Sequence, residues 1–363
     1  MKTVVTFGEI MGRVMPPNYE KFRQALPGNV KMIFAGAEAN VAVSVAMLGG
    51  RSRFVTALPD NELTCACLTT LKGLGVDTEQ ILQKDAGRLG LYFTETGSNQ
   101  RPSRVIYDRA HSTFSLTGSK EYDWKNSFKD ACWLHVTGIS PALSKVVAEA
   151  VIDAVKYAKK AGLTVSCDLN FRKNLWRWDA LKSPKQLAGE VMRQVLTGVD
   201  VLIANEEDAS DVLGIHPGDT DVCQGKLDVE KYTDVARQIV AEFSNVSIAA
   251  TTLRQSVSAN HNNWGVMLYD AKTQKSHFVP THNGVYQPYP ITDIVDRVGG
   301  GDSFAAGLIY ALTTPELSEP KTAVSFAVAS SCLAHSIHGD FNYSTRKEVE
   351  TLMAGQGRGR IVR

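Results

Sequence analysis

Short apolar runs of strand length punctuate the chain at 4–7, 53–57, 133–137, 163–167, 201–204 and 246–250. Between many of them lie stretches whose apolar positions recur at helical spacing, among them 39–48, 146–159 and 229–243. Continuous apolar strands alternating with amphipathic helices predict an α/β fold, a three-layer sandwich whose largely parallel sheet is covered on both faces. Two segments break this rhythm. Residues 12–34 carry Met15-Pro16-Pro17 and Leu26-Pro27-Gly28 and show no helical period. Residues 89–115 carry alternating patches at 91–95 and 104–108. Both read as antiparallel strands set into the core, together a small β-sheet lid. The expected division is a core of 1–11, 35–88 and 116–363 and a lid of 12–34 and 89–115. Apolar positions on both lid faces predict that the lid also contacts a second subunit, giving a homo-oligomer.

Polar residues gather where the predicted strands end. The run 163–167 leads into Asp168-Leu169-Asn170-Phe171-Arg172, and 201–204 into Asn205-Glu206-Glu207-Asp208. The run 246–250 leads into Thr251-Thr252-Leu253-Arg254, and 133–136 into Thr137-Gly138. Ligands of open α/β sheets bind outside the carboxyl ends of the strands, so this is the predicted binding edge.

One segment carries the chemistry: Asp296-Arg297-Val298-Gly299-Gly300-Gly301-Asp302, followed by an apolar run to Leu312 that reads as a buried helix. Glycines let the backbone approach a ligand, and a helix start offers unpaired N–H groups to an anion. A carboxylate at such a turn repels phosphate, which suits a base that takes a proton from an attacking hydroxyl. The competing reading is that Asp302 only caps the helix.

Charge and cysteine usage narrow the partners. A net charge of +1 over 363 residues offers no footprint for nucleic acid or an anionic membrane. No apolar run reaches membrane-spanning length and the start does not read as a signal peptide. The six cysteines, Cys65, Cys67, Cys132, Cys167, Cys223 and Cys332, form no Cys-x-x-Cys pair, and the histidines show no ligand spacing, so no dedicated metal site is expected. A cytoplasmic setting is expected. The glycine-rich basic tail, 355–363, reads as a solvated end.

The turn at 296–302 resembles the second signature of the ribokinase-like carbohydrate kinases, and Ala35-Gly36-Ala37-Glu38-Ala39-Asn40-Val41-Ala42 resembles their first. The likeness runs from Phe7-Gly8-Glu9 to about Asn342. Within that family the segments Arg101–Arg109 (with Tyr107-Asp108-Arg109), Asp168–Arg172, Leu175-Trp176 and Thr252-Leu253-Arg254 are similar to 2-keto-3-deoxygluconate kinases. The resemblance implies ATP-dependent phosphorylation of the terminal hydroxyl of a sugar acid, with Mg2+ held largely by ATP phosphates and a monovalent cation as a further possibility. It implies Asp302 as base, the N–H groups of Gly299, Gly300 and Gly301 as anion hole, and Arg172 on phosphate or substrate carboxylate. The acceptor would meet Gly36, Ala37, Glu38, Ala39, Asn40, Tyr92, Tyr107, Arg109, Arg172 and Asp340. The nucleotide would meet Asn170, Asn205, Thr251, Leu253, Arg254, Gly299 and Gly301. Four places depart from the family pattern: Ala35 for a glycine, Leu63-Thr64-Cys65 for a Gly-Asp pair, Asp208 for a glutamate, and Leu253-Arg254-Gln255-Ser256, which lacks the glycines common in ribokinases but suits the sugar-acid subgroup. Rival readings are a kinase of the same fold acting on fructose or ribose, a non-catalytic sugar or nucleotide sensor, and a nicotinamide oxidoreductase. The last needs a glycine fingerprint after the first strand, and Phe7-Gly8-Glu9-Ile10 does not supply it.

Overall fold

The computed structural model describes residues 2–205, 207–216 and 229–356. Glu206, Cys223 and tail residues 357–363 therefore lie outside the described residues.

Strand β1 (Thr3–Phe7) runs fully buried through the molecule and leads after three residues into β2 (Met11–Met15). The strands that follow are β3 (Lys31–Ala35), β4 (Arg51–Val55), β5 (Val76–Asp77), β6 (Gly90–Glu95), β7 (Arg104–Asp108), β8 (Ala131–Thr137), β9 (Thr164–Asp168) and β10 (Val201–Asn205). The last are β11 (Ile248–Ser258), β12 (His261–Asp270), β13 (Lys275–Val279) and β14 (Tyr289–Ile291). Ten of these form one sheet in the order β13-β12-β11-β10-β9-β8-β1-β4-β5, with β14 against β12. From β5 to β11 every pairing is parallel, with Val5 beside Leu134 and Leu134 beside Val165. The edge formed by β12 and β13 is antiparallel.

Successive strand residues point to opposite faces, and both faces are apolar. Val5, Phe7, Leu134, Val136, Val165 and Cys167 pack in one layer with Val147, Val151 and Ala154 of the helix Lys145–Lys160. Val4, Trp133, Val201 and Ile203 pack in the other with Phe304, Leu308 and Val324 of the helices Gly300–Leu312 and Pro320–Ala334. The parallel strands all deliver their carboxyl ends to one edge.

The second sheet, β3-β2-β6-β7, stands over that edge. Its middle pairing differs from the antiparallel expectation: β2 and β6 are parallel, Met11 beside Gly90 and Val14 beside Phe93. The reason is connectivity, because β6 returns from a long excursion through the core instead of from a hairpin. The two outer pairings are antiparallel. β2 starts at Met11 and β3 ends at Ala35, each one residue beyond the expected 12–34 segment, while β6 and β7 lie within the expected 89–115. A single helical turn, Phe22–Ala25, stands where no helical period is visible. The outer strand β7 leaves Val105, Ile106 and Tyr107 exposed. No helix of the described residues is long and apolar enough to cross a membrane.

Candidate active site

The parallel strand ends and the lid enclose a cleft of about 590 Å³. At its floor the helix Gly300–Leu312 begins, preceded by Gly299 at φ +85°. A Cβ on Gly299 would lie 2.4 Å from the carbonyl oxygen of Asp340, so a left-handed backbone and a close neighbour both require glycine there. Asp302 is not the cap of this helix. It is the third helical residue, and Gly299 is the cap. The carboxylate of Asp302 instead accepts a 2.6 Å hydrogen bond from Asn40 Nδ2.

Asn40 belongs to the helix Ala37–Met47, and its Oδ1 accepts from Gly36 N at 3.2 Å. A Cβ at Gly36 would sit 2.1 Å from the Glu9 carbonyl oxygen, so the entry to this helix presses against the connection between β1 and β2. Ala35, where the family pattern has glycine, is the buried last residue of β3 beside Met11. Helical spacing sends Ala37, Glu38 and Asn40 to the cleft and Ala39 to a core cluster with Val43 and Phe54. The expected contact at Ala39 is therefore not formed by its side chain.

Carboxylates crowd the floor. Burial pushes Asp302 up to about 7, helped by Asp340 and Glu38 and opposed by Asn40 and Arg172. Burial also holds Asp168 well above the ordinary carboxylate range, with Asp208 and Asp302 adding to the effect and Arg172 opposing it. Glu38 is buried, which raises its carboxyl, while Thr137 Oγ1 and Ser140 Oγ each donate to it at 2.7 Å. Asp208 accepts from the backbone N–H groups of Phe171 and Asn205, both at 3.1 Å. The aspartate thus ties two strand-end loops together, a job that its shorter side chain suits.

Cations are distributed unevenly. Arg172 is exposed at the cleft, makes no salt bridge among the described residues, and touches only the Phe171 carbonyl through its guanidinium, at 3.1 Å. Arg109, expected as a free cation of the lid, is instead a buried ion pair. Its Nε donates to Glu9 Oε2 at 2.7 Å, a second guanidinium nitrogen meets the same oxygen, and the group stands over the Tyr107 ring. Tyr92 is also committed, donating to Asp340 Oδ2 at 2.6 Å. Asp340, Tyr107 and Asn170 line the cleft.

Beyond the turn, strand alternation decides which residues of β11 face the cleft. Thr252, Arg254 and Ser256 line it together with Asn205 and Arg297. Thr251 does not line the cleft, and Leu253 packs away from it with Ala249, Met267 and Tyr269. Of the three nucleotide contacts expected on this strand, Arg254 faces the cleft as expected, while Thr251 and Leu253 do not and Thr252 lines it instead. Reading the strand with a period of two from Arg254 would have found Thr252 and Ser256. Two residues with no such signal also matter: Glu9, the partner of Arg109, and Arg13 on β2, whose side chain is 1 % exposed. Among the described residues no group of three or more His, Cys, Asp or Glu is arranged to hold a metal ion.

A mostly parallel α/β core, a small β-sheet lid and an anion turn with its own carboxylate define a phosphotransferase-like architecture. Comparison with known proteins makes the class specific. The chain matches the pfkB family carbohydrate kinase model over residues 1–248 and 271–346, and it belongs to that family. It is 31 % identical over 356 residues to a 2-dehydro-3-deoxygalactonokinase of Haloferax volcanii, covering 98 % of each chain. It is 28 % identical over 310 residues to a 2-dehydro-3-deoxygluconokinase of Bacillus subtilis, covering 84 % of this chain and 81 % of the relative. The crystal structure of a 2-dehydro-3-deoxygluconokinase from Thermotoga maritima superimposes with a TM-score of 0.87 at 40 % identity, over 98 % of this chain and 100 % of that one.

Proposed function

We propose that this kinase transfers the terminal phosphoryl group of ATP to the terminal hydroxyl of a 2-keto-3-deoxy sugar acid, 2-keto-3-deoxygluconate first among them. The observation that carries the reading is Asp302, raised to about 7 in the first turn of the helix that Gly299 caps, in one cleft with Arg172, which makes no salt bridge among the described residues. Asp302 takes the proton of the attacking hydroxyl, and its displacement toward neutrality suits a general base. The N–H groups of the Gly299–Gly301 turn receive the transferring oxygens, where charge grows in the transition state. Asn40 orients Asp302. Arg172 pairs with phosphate or with the acceptor carboxylate, for which a planar guanidinium is well matched. Arg254, Thr252 and Asn205 lie on the nucleotide side. Mg2+ arriving with ATP would supply charge neutralisation at the phosphates, and the cleft carboxylates of this chain are mostly engaged by the protein itself. The relatives named as kinases of 2-dehydro-3-deoxy sugar acids support this acceptor class over neutral sugars.

We infer also that the exposed apolar strand β7 joins two lids in a homo-oligomer, and that the enzyme works in the cytoplasm. An ATP-consumption assay across keto sugar acids, aldonic acids, fructose and ribose tests the acceptor. Highest kcat/KM on a 2-keto-3-deoxy acid is expected. Preference for fructose or ribose would overturn the acceptor assignment, and no turnover of any sugar would favour a sensor.

A further inference from the structure

Arg13 is a fully enclosed cation with no place in the reaction described above. It lies on β2 in the lid, yet its hydrogen-bond partners are mainly in the core. One guanidinium nitrogen reaches Asp296 Oδ2 at 2.8 Å and Asp340 Oδ1 at 2.6 Å, and Nε donates to Thr94 Oγ1 at 2.9 Å. Burial works against its charge, and the two carboxylates more than offset that, so the guanidinium stays cationic.

The two carboxylates bracket the anion turn. Asp296 Oδ1 accepts from Val298 N, one residue before Gly299, and Asp296 Oδ2 accepts from Gly339 N, both at 3.2 Å. Asp340 supplies the carbonyl against which Gly299 packs, and its carboxylate also accepts from Tyr92 of the lid. Arg13 therefore joins the segment that enters the turn, the segment the turn rests on, and the lid.

Accepting the phosphotransferase reading above, we propose that Arg13 is a positioning residue for phosphoryl transfer: it clamps Asp296 and Asp340 to the lid, so that the Gly299–Gly301 turn takes its anion-binding shape only with the lid seated. A buried cation between two carboxylates is a short-range, two-sided fixture. Lysine preserves the charge but cannot present the same planar fork. Burial raises the Asp340 carboxyl, and Arg13 is the first group opposing that rise.

The test compares Arg13→Met, Arg13→Lys and the double variant Arg13→Met/Asp296→Asn. The double variant restores the charge balance should Arg13→Met fail to fold. Each is assayed with whichever acceptor the wild type turns over best, so a wrong acceptor assignment does not affect the comparison. Folding is checked by thermal melting. Arg13→Met is expected to lower kcat by about 30-fold or more, the scale of a displacement near 1 Å in a reacting group's surroundings. Its acceptor KM should rise while KM for ATP stays within about threefold, because Asp340 and Tyr92 lie at the acceptor end. Arg13→Lys should recover part of the loss, and the double variant should melt near wild type yet stay at least about tenfold slow. A folded Arg13→Met or double variant with wild-type kcat and acceptor KM overturns the proposal. So does a loss that raises both KM values equally and that lysine does not relieve.

Discussion

Replacing Asp302 by asparagine should make the unliganded protein more stable while disabling it. Burial lifts this carboxyl from its ordinary value of 3.8 to about 7. An acid with a raised folded-state pKa holds more protons folded than unfolded between the two values, so wild-type stability falls as pH climbs from about 4 to about 7 and levels off above. One pH unit of difference is worth about 1.4 kcal/mol, so the full displacement corresponds to about 4 kcal/mol at most. Asp302 is open on one side to the water of the cleft, so about 1–2 kcal/mol is the expected gain at pH 8. Asparagine can still accept from Asn40 Nδ2 through its own Oδ1, which preserves the 2.6 Å contact seen here. Urea unfolding of both proteins at pH 4, 6 and 8 reads the difference directly. The gap should be near zero at pH 4, open through pH 6 and be largest at pH 8. Turnover should fall about 10²–10⁴-fold, the scale of losing a general base. An asparagine variant no more stable than wild type at pH 8, or with turnover within about threefold of it, would refute the reasoning.

Arg172→Ala should reduce kcat/KM for a keto sugar acid by about 30-fold or more and for fructose much less, since Arg172 lies in the cleft and makes no salt bridge among the described residues; equal losses on both acceptors would move its role to the phosphate. Gly299→Ala should cost about 1–2 kcal/mol for the left-handed backbone alone, more with the Asp340 carbonyl in the way, and chemical denaturation checks it. Ile106→Asp, on the exposed lid strand, should shift the light-scattering mass to that of a monomer without changing the melting of the core; an unchanged mass places the interface elsewhere.

The parts legible in the sequence were those where one residue's neighbours along the chain determine its setting. The runs at 4–7 and 133–137 became β1 and β8 because uninterrupted apolar strands have only the middle of a covered sheet to occupy. The glycine turn could be read because anion binding there is a local backbone property. The hairpin of β11 and β12 was not visible beyond 250, since Arg254, Gln255 and Ser256 are polar on a strand that leaves the core for solvent. Parallel pairing of β2 with β6 depends on contacts between residues nearly eighty positions apart, which no local pattern encodes. Arg109 illustrates the same limit. Its chain neighbours mark it as a lid cation, but Glu9, in the short connection between β1 and β2, decides that the charge is already matched.

The pairing of Met11 with Gly90 also constrains how the molecule assembles. Between those two residues the chain makes β4, β5 and two helices of the core, so the lid's central seam joins only after a long loop has closed. Contacts of such separation form late in folding. A nascent chain released after β5 could complete much of one flank of the core yet hold β2 and β3 as a lone hairpin with a bare edge, open to pairing with another chain. Shortening the protein from within the 89–115 excursion would leave every copy in that state, so aggregation, more than loss of catalysis, would be its first symptom.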